Sequence, residues 1–456
     1  MITMEAINPT TGQKIKTYER LDEQGVKKRI EQANDRYQTW RRTSFAERTG
    51  LMNKAAEVLE ANKEEYARLM TREMGKAISE ARSEVEKCAW VCRYYAEHAE
   101  KFLQDELIQT DASKSYVTFE PLGVVLAVMP WNFPFWQVFR FAAPNLMAGN
   151  TGLLKHASNV PGCAEAIEDV FRKAGFPEHV FTNLRIGSDQ VAFVIDHPLV
   201  RAATLTGSDK AGRSVAEQSG RRLKKTVLEL GGSDAYLILD DADLEHAAEV
   251  CKNSRLLNAG QSCIGAKRFI VVEEVYHSFM SLFLEKMRAA KMGDPMKEDI
   301  DLGPQAREDL RDLLHNQVQR SLDKGAELEL GGKIPAGEGA FYPPTVLTNV
   351  RPGMAAFEEE LFGPVAAVIK VKDEKEAIRM ANASDFGLGA AVFTRDIKRG
   401  ERIAARELKA GNCFVNNLVK SDPRLPFGGI KISGYGRELS HYGIREFVNI
   451  KTVWIN

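Results

Sequence analysis

Cys263 lies in the segment Asn258-Ala259-Gly260-Gln261-Ser262-Cys263, and Glu229 opens a second segment, Glu229-Leu230-Gly231-Gly232. A thiol that attacks a carbonyl carbon and a carboxylate that activates water are the two groups needed to turn an aldehyde into an acid. Free cysteine is more often a small buried hydrophobe than a nucleophile. Here Gly260, Gln261 and Ser262 are poor core residues. They predict an accessible loop in which the backbone N–H of Cys263 faces a developing oxyanion.

Further segments carry groups suited to the same chemistry. Pro130-Trp131-Asn132-Phe133-Pro134 follows a continuous apolar run, so Asn132 is displayed at the C-terminal end of a strand, where ligands bind in open α/β sheets. Its side-chain N–H2 is a suitable oxyanion donor, although an asparagine in such a place can equally serve local turn hydrogen bonds. Lys155 closes the run Gly152-Leu153-Leu154-Lys155, again at a strand end. Thr206-Gly207-Ser208-Asp209-Lys210-Ala211-Gly212 is a glycine-flanked turn leading into a helix, able to present N–H groups to a phosphate. Glu359-Glu360-Leu361-Phe362-Gly363-Pro364 offers a carboxylate and an aromatic ring for a ribose and a nicotinamide; its bland alternative is an acidic loop with a core phenylalanine. No complete G-x-G-x-x-G fingerprint occurs anywhere in the chain.

The elements that must hold these groups follow from the hydrophobic pattern. The first hundred residues read as mostly helical, with Ser44-x-x-Glu47 as a capping box and helical periodicity from Leu51 to Phe102. Ser115–Phe119 alternates like a strand. Val124–Met129 is a continuous apolar run ending at Pro130, the pattern of a strand buried on both faces. Similar runs at Gly152–Leu154, Ala203–Leu205, Tyr236–Leu239 and Phe269–Val272 alternate with helical stretches. This predicts a doubly wound α/β architecture. The segment 231–243 reads as a boundary before a new α/β unit, and Gly331–Pro344 as a surface loop. The tail Phe447–Trp454 alternates and predicts a strand added to another element, or to another subunit.

Composition narrows the class. A chain of 456 residues with 44% apolar and 27% charged residues is ordinary for a globular protein, and long enough for more than one core. Its 62 basic and 63 acidic residues balance, which argues against nucleic-acid or membrane-surface binding. No apolar run approaches the roughly 18 residues that span a bilayer, and the start lacks the basic and apolar regions of a secretory signal. Six cysteines, at 88, 92, 163, 251, 263 and 413, are too sparse for a disulfide scaffold and predict a reducing, cytoplasmic setting. Cys88 and Cys92, one turn apart, read as half-buried helix residues. The eight histidines form no H-x-x-x-H pair, so no metal site is expected.

Taken in order, these segments resemble the aldehyde dehydrogenase superfamily, from Asn8-Pro9-Thr10-Thr11-Gly12 to Gly434-Tyr435-Gly436-Arg437-Glu438. The resemblance implies an aldehyde dehydrogenase-like fold of two doubly wound α/β domains plus a small β oligomerisation element. It implies an NAD(P)-binding domain from 1–108 and 122–230, a catalytic domain from 231–440, and an oligomerisation element from 109–121 and 441–456. It also implies that NADP or NAD binds without the usual fingerprint. By position, Cys263 is implied as the nucleophile, Glu229 as the general base, and Asn132 with the Cys263 N–H as the oxyanion hole. Lys155 and Glu360 are implied to hold a ribose, while Trp131, Gly207, Ser208, Leu230 and Phe362 line the cofactor site. A homodimer or homotetramer is implied, with a small aldehyde as substrate.

Cofactor and substrate choice rest on fewer residues. In this family a glutamate at the position of Ser158 would repel a 2′-phosphate, so serine implies that NADP is tolerated. If the segment after Pro134 is helical, Trp136 and Arg140 share a face, and Arg140 is placed to grip a substrate carboxylate through two hydrogen bonds. Its alternative is a structural arginine paired with a neighbouring acid. That arginine and Glu229–Asp234 make the chain look most like the succinate-semialdehyde dehydrogenases of bacteria, with Ser421 as a second carboxylate contact. Phe141 stands where relatives often have lysine, so a proton relay from that position to Glu438 is not expected. No cysteine adjoins Cys263, and no disulfide switch is expected in its loop. Two other readings compete: a broad-specificity aliphatic or aromatic aldehyde dehydrogenase, and a non-catalytic binding protein on the same fold.

Overall fold

The computed structural model describes residues 2–456. Two large sheets dominate it. The strand Val124–Met129 pairs in parallel with Thr151–His156 on one side and Val200–Thr206 on the other. Phe181–Asn183 and Lys225–Glu229 extend this sheet, and Gly434–Tyr435 closes one edge antiparallel to Lys225–Glu229. The continuous apolar run has a direct cause. Val125, Ala127 and Met129 enter one core with the helix Trp136–Met147, while Val124 and Leu126 enter another with the helix Glu23–Trp40. A strand covered on both faces has no polar side to display.

The second sheet has seven strands, ordered 327–330, 345–348, 365–371, 266–272, 234–238, 389–393, 412–415, all parallel except the antiparallel edge 327–330. Here too alternate residues separate: Ala235 and Leu237 enter one core, Tyr236 and Ile238 the other. The chain passes from the first sheet to the second between Glu229 and Asp234, overlapping the start of the segment 231–243. Gly434–Tyr435 then returns to the first sheet from inside the stretch 231–440.

The N-terminal region departs from its helical expectation. It opens with an antiparallel hairpin, Thr3–Ile7 against Lys14–Glu19, before the helices Glu23–Trp40, Phe45–Ala61, Lys63–Met74 and Ile78–Phe102. Most of the hairpin is exposed, so its short strands carry too few core residues to register as apolar alternation. The capping box forms as expected, with the Ser44 hydroxyl and Glu47 side chain satisfying each other's backbone N–H. Cys88 and Cys92 are both fully buried in the helix Ile78–Phe102. The loop 331–344 contains no helix or strand, yet Tyr342 within it is fully buried.

The tail forms the strand Val448–Ile455, antiparallel to Lys114–Pro121 and in a three-stranded sheet with Glu106–Leu107. Leu107, Ile450, Trp454 and Ile455 of this sheet leave apolar side chains exposed. No described helix is long and apolar enough to cross a membrane.

Candidate active site

Parallel register aligns the ends of four strands. Met129 pairs with His156, and Thr206 with Glu229, so the loops that follow these residues open on one rim of the first sheet. Asn132, Ser158, Gly207 and Leu230 lie in those loops, and Lys155 in the last turn of its strand. Cys263 approaches from the second sheet, in the loop that leads into the strand Ala266–Val272.

That loop is tightly specified. Asn258, Ala259 and Gly260 all have positive φ, at 55°, 52° and 75°. The Glu80 carboxylate accepts the Asn258 backbone N–H at 2.9 Å, and Gln261 Oε1 accepts from the Ala306 N–H at 2.8 Å. A Cβ on Gly260 would lie 2.2 Å from the carbonyl carbon of Gly363, so glycine is required both by its dihedral and by this backbone contact. Lys267, fully buried, donates to the carbonyls of Ser262 at 2.8 Å and Cys263 at 2.6 Å, and lies 3.4 Å from Glu360. Glu360 also accepts the Gly232 N–H at 3.0 Å. One ammonium thus ties the cysteine loop to Glu360, and through Gly232 to the Glu229 segment. The sequence reading missed Lys267. Its position four residues past the cysteine, at the start of an apolar strand, was the available signal.

Asn132 reaches the same loop. Its Nδ2 donates to the Gln261 carbonyl at 3.1 Å, and Asn258 Nδ2 donates to the Asn132 carbonyl at 2.6 Å. The Asn132 amide therefore lies beside the cysteine loop with one N–H committed and a second still to give. Glu229 is fully buried and neither carboxylate oxygen has a hydrogen-bond partner among the described residues. Burial first, and then the Glu438 carboxylate, push its pKa well above the ordinary carboxylate range, while Arg140 and Arg437 oppose the shift. Burial likewise pushes the Cys263 thiol up to about 12, with Lys267 and Arg140 pulling it down.

The residues expected at the cofactor fall into two groups. Trp131 and Phe362, both half-buried, meet edge to face with centroids 5.7 Å apart. Gly207 donates its N–H to the Glu229 carbonyl at 3.0 Å, and Leu230 packs on Gly212 of the helix Asp209–Arg221. Ser208 caps that helix, accepting the Ala211 N–H at 3.3 Å. Lys155 is buried, and burial with the neighbouring Arg20 lowers its pKa. Ser158 is exposed and lines a cleft with Arg20, Gly187 and Ser188.

On the other side of Cys263 is a cavity of about 340 Å³. The helix Trp136–Met147 forms as expected, and Trp136 and Arg140 both line this cavity, as does Ser421. The helix is anchored by Glu84, whose carboxylate accepts the N–H groups of Phe135 and Trp136 at 2.8 and 2.9 Å. Arg140 does not stand free. Its guanidinium forms a buried ion pair with Glu438 and stacks 4.8 Å from the Phe427 ring. Glu438 is thereby a partner of Arg140. Phe141, buried against the edge of Phe447, provides no proton carrier. Lys87, which the sequence reading passed over on a charged helix face, also lines the cavity. Among the described residues, no group of three or more His, Cys, Asp or Glu side chains is arranged to hold a metal.

Comparison with known proteins places the chain in a family. Residues 2–453 match the Aldehyde dehydrogenase family. The chain belongs to that family. It is 49% identical over 454 residues to a protein of Synechocystis sp. named "Probable succinate-semialdehyde dehydrogenase [NADP(+)]", with all of both chains covered. It is 48% identical over 452 residues to succinate-semialdehyde dehydrogenase (NADP(+)) 1 of Mycobacterium tuberculosis, covering 98% of this chain and 99% of that one. Among solved structures, the succinic semialdehyde dehydrogenase of Streptococcus pyogenes in complex with NADP+ superposes with a TM-score of 0.97, at 40% identity and 99% coverage of each chain.

Proposed function

We propose that this aldehyde dehydrogenase oxidises succinic semialdehyde to succinate with NADP+. The observation that carries the reading is the single cavity holding the Cys263 thiol together with Lys87, Arg140 and the Ser421 hydroxyl. An aldehyde at one end of a four-carbon chain and a carboxylate at the other match a thiol and a cationic wall. The names of the relatives at 48 and 49% identity support the same substrate and cofactor.

The residues present fit the dinucleotide. Trp131 and Phe362 supply aromatic walls, the helix behind Ser208 supplies N–H groups for a phosphate, and Lys155 and Glu360 bracket a ribose. Neutral Ser158 presents no charge against a 2′-phosphate. When bound, NADP+ accepts the aldehyde hydrogen as hydride.

The protein's own groups do the rest. The Cys263 sulfur adds to the carbonyl carbon as thiolate, its S–H proton having passed to solvent. The second N–H of Asn132 and the backbone N–H of Cys263 stabilise the tetrahedral oxyanion. Loss of hydride leaves a thioester on Cys263. Glu229, made more basic by burial, then removes a proton from water, whose oxygen displaces the sulfur and releases the acid. A carboxylate base favours water over a thiol such as coenzyme A as the final acceptor. Exposed Leu107, Ile450 and Trp454 on the three-stranded sheet support a homodimer or homotetramer joined there, and the lone thiols suit the cytoplasm.

The test compares kcat/KM for succinic semialdehyde with that for butanal, which has the same carbon count and no carboxylate. A charge-assisted contact to the carboxylate predicts a preference of roughly 10- to 150-fold. Equal values would overturn the semialdehyde reading and favour a broad aliphatic aldehyde dehydrogenase.

A further inference from the structure

Resting on that reading, the geometry points to Lys87 as the cation that receives the distal carboxylate of the substrate, with the Ser421 hydroxyl as its companion donor. We infer this from how the donors of the cavity are spent. Arg140 gives its Nε to Glu438, in an ion pair buried on both sides, and its Nη2 donates to the Thr206 hydroxyl at 3.4 Å. Lys87 has no such partner: among the described residues no carboxylate pairs with it, and its one hydrogen bond runs to Ser421 Oγ at 2.9 Å. Trp136 Nε1 donates to the same oxygen at 3.1 Å. Both lone pairs of Ser421 Oγ are therefore occupied, so its O–H proton must point elsewhere, and Lys87 keeps two further N–H groups. The Trp136 ring, whose centroid is 4.2 Å from the Lys87 ammonium, fixes the side chain by a cation–π contact. The result is a positioned ammonium and a hydroxyl with free protons in the cavity that holds Cys263.

The surroundings explain why the ammonium is available to an anion. Lys87 stands one turn beyond Glu84 in the helix Ile78–Phe102, but Glu84 is occupied by Lys76 and by the N–H groups of Phe135 and Trp136. Asp422, beyond Ser421, is held by Arg424 at 2.7 Å. Burial, and then the positive Arg140, lower the Lys87 pKa to about 8, against the weaker pull of Cys88, Glu84 and Asp422. Lys420 and Glu80 also line the cavity; burial raises Glu80 to about 7. A bound carboxylate relieves the repulsion between Lys87 and Arg140, which an uncharged aldehyde does not. Arg140 on this account sets the field and the wall, while Lys87 makes the contact.

The test uses Lys87→Met and Lys87→Arg in the intact enzyme, with kcat/KM measured for succinic semialdehyde and for butanal. For Lys87→Met we expect the semialdehyde-to-butanal ratio to fall about tenfold, the low end for a charged hydrogen bond because the lysine is only half-buried. Lys87→Arg should recover most of the ratio. The pH profile supplies a readout that a structural role would not move. In the wild type the ratio should fall as pH rises past about 8, where the ammonium loses its charge. In Lys87→Arg it should hold to pH 9, with Glu80 titrating alike in both enzymes. A wild type that prefers the semialdehyde, with the preference intact in Lys87→Met, would overturn the assignment and return the carboxylate to Arg140. A wild type with no preference would instead sink the substrate reading itself.

Discussion

Replacing Lys267 with methionine tests whether one buried ammonium organises the cysteine loop. Methionine keeps the stem but removes the donor to the Ser262 and Cys263 carbonyls and the neighbour of Glu360. Glu360, whose side chain is 20% exposed, then keeps only the Gly232 N–H at 3.0 Å. Stranding a buried charge typically costs about 3–5 kcal/mol. A carboxyl escapes part of that cost by taking a proton. Holding a group with an ordinary pKa of 4.5 protonated at pH 7 costs about 3.4 kcal/mol. That sets a ceiling on the Glu360 share, and the ceiling drops to about 1.4 kcal/mol at pH 5.5. The sign follows from linkage: burial already raises the Glu360 pKa, and losing Lys267 raises it further. The penalty is absent below the unfolded pKa and grows with pH above it. The assay is urea denaturation of wild type and Lys267→Met at pH 7.0 and 5.5, at one protein concentration, with Glu360→Gln added in the variant background. We expect the gap between the two proteins to narrow at the lower pH, by at most about 2 kcal/mol because the wild-type Glu360 pKa is itself raised, and the double variant to show no narrowing. A gap that is the same at both pH values would refute the coupling of Lys267 to Glu360. The same variant should lose about 100-fold in kcat, since displacing the nucleophile by an ångström is enough for that.

Three other substitutions probe the site. Glu229→Gln should preserve the first turnover of NADPH while slowing steady-state oxidation by about 10²- to 10⁴-fold, in stopped-flow absorbance; an unchanged steady state would remove Glu229 from water activation. Ser158→Glu should move the NADP+/NAD+ ratio of kcat/KM at least about tenfold towards NAD+, since it sets a carboxylate where a 2′-phosphate would lie; no movement would mean that this exposed residue does not approach the 2′ position. Gly260→Ala should destabilise the fold by about 2–5 kcal/mol, combining positive-φ strain with overpacking against Gly363; a loss below 1 kcal/mol in urea denaturation would show that the loop can shift.

What could be read from the sequence was whatever leaves a one-dimensional trace. Val124–Met129 declared itself as a strand buried on both faces because both sets of alternate residues are apolar, and the structure sends them to two different cores. Asn132 and Lys155 were placed at strand ends because those ends follow from apolar runs. The hairpin 3–19 left little trace because its side chains are mostly exposed. Long-range pairing left none. Arg140 and Glu438 lie nearly three hundred residues apart, and nothing in either segment indicates that they meet. Lys87 looked like any solvated charge on a helix with Glu84 and Glu86. Only the packing of that helix against Trp136 and the loop at Ser421 turns it inward.

The same packing accounts for how one site can manage two ends of a charged substrate. Glu229 and Glu438 are both buried; burial raises both pKa values and the Glu438 carboxylate raises that of Glu229 further, while Arg140 opposes the shift at each and Arg437 at Glu229. Two buried carboxylates that share the Arg140 field disfavour ionising together. Arg140 pairs with Glu438 directly, and among the described residues no cation pairs with Glu229, whose ionised form burial and the Glu438 carboxylate disfavour. Glu229 activates water only as the carboxylate, and the positive Arg140 and Arg437 lower the cost of reaching that form. If Arg140 were instead drawn fully onto a substrate carboxylate, Glu438 would be stranded and Glu229 would be harder still to ionise. A separate cation for the substrate, Lys87, avoids that conflict: the distal carboxylate is held by a charge that the base does not need.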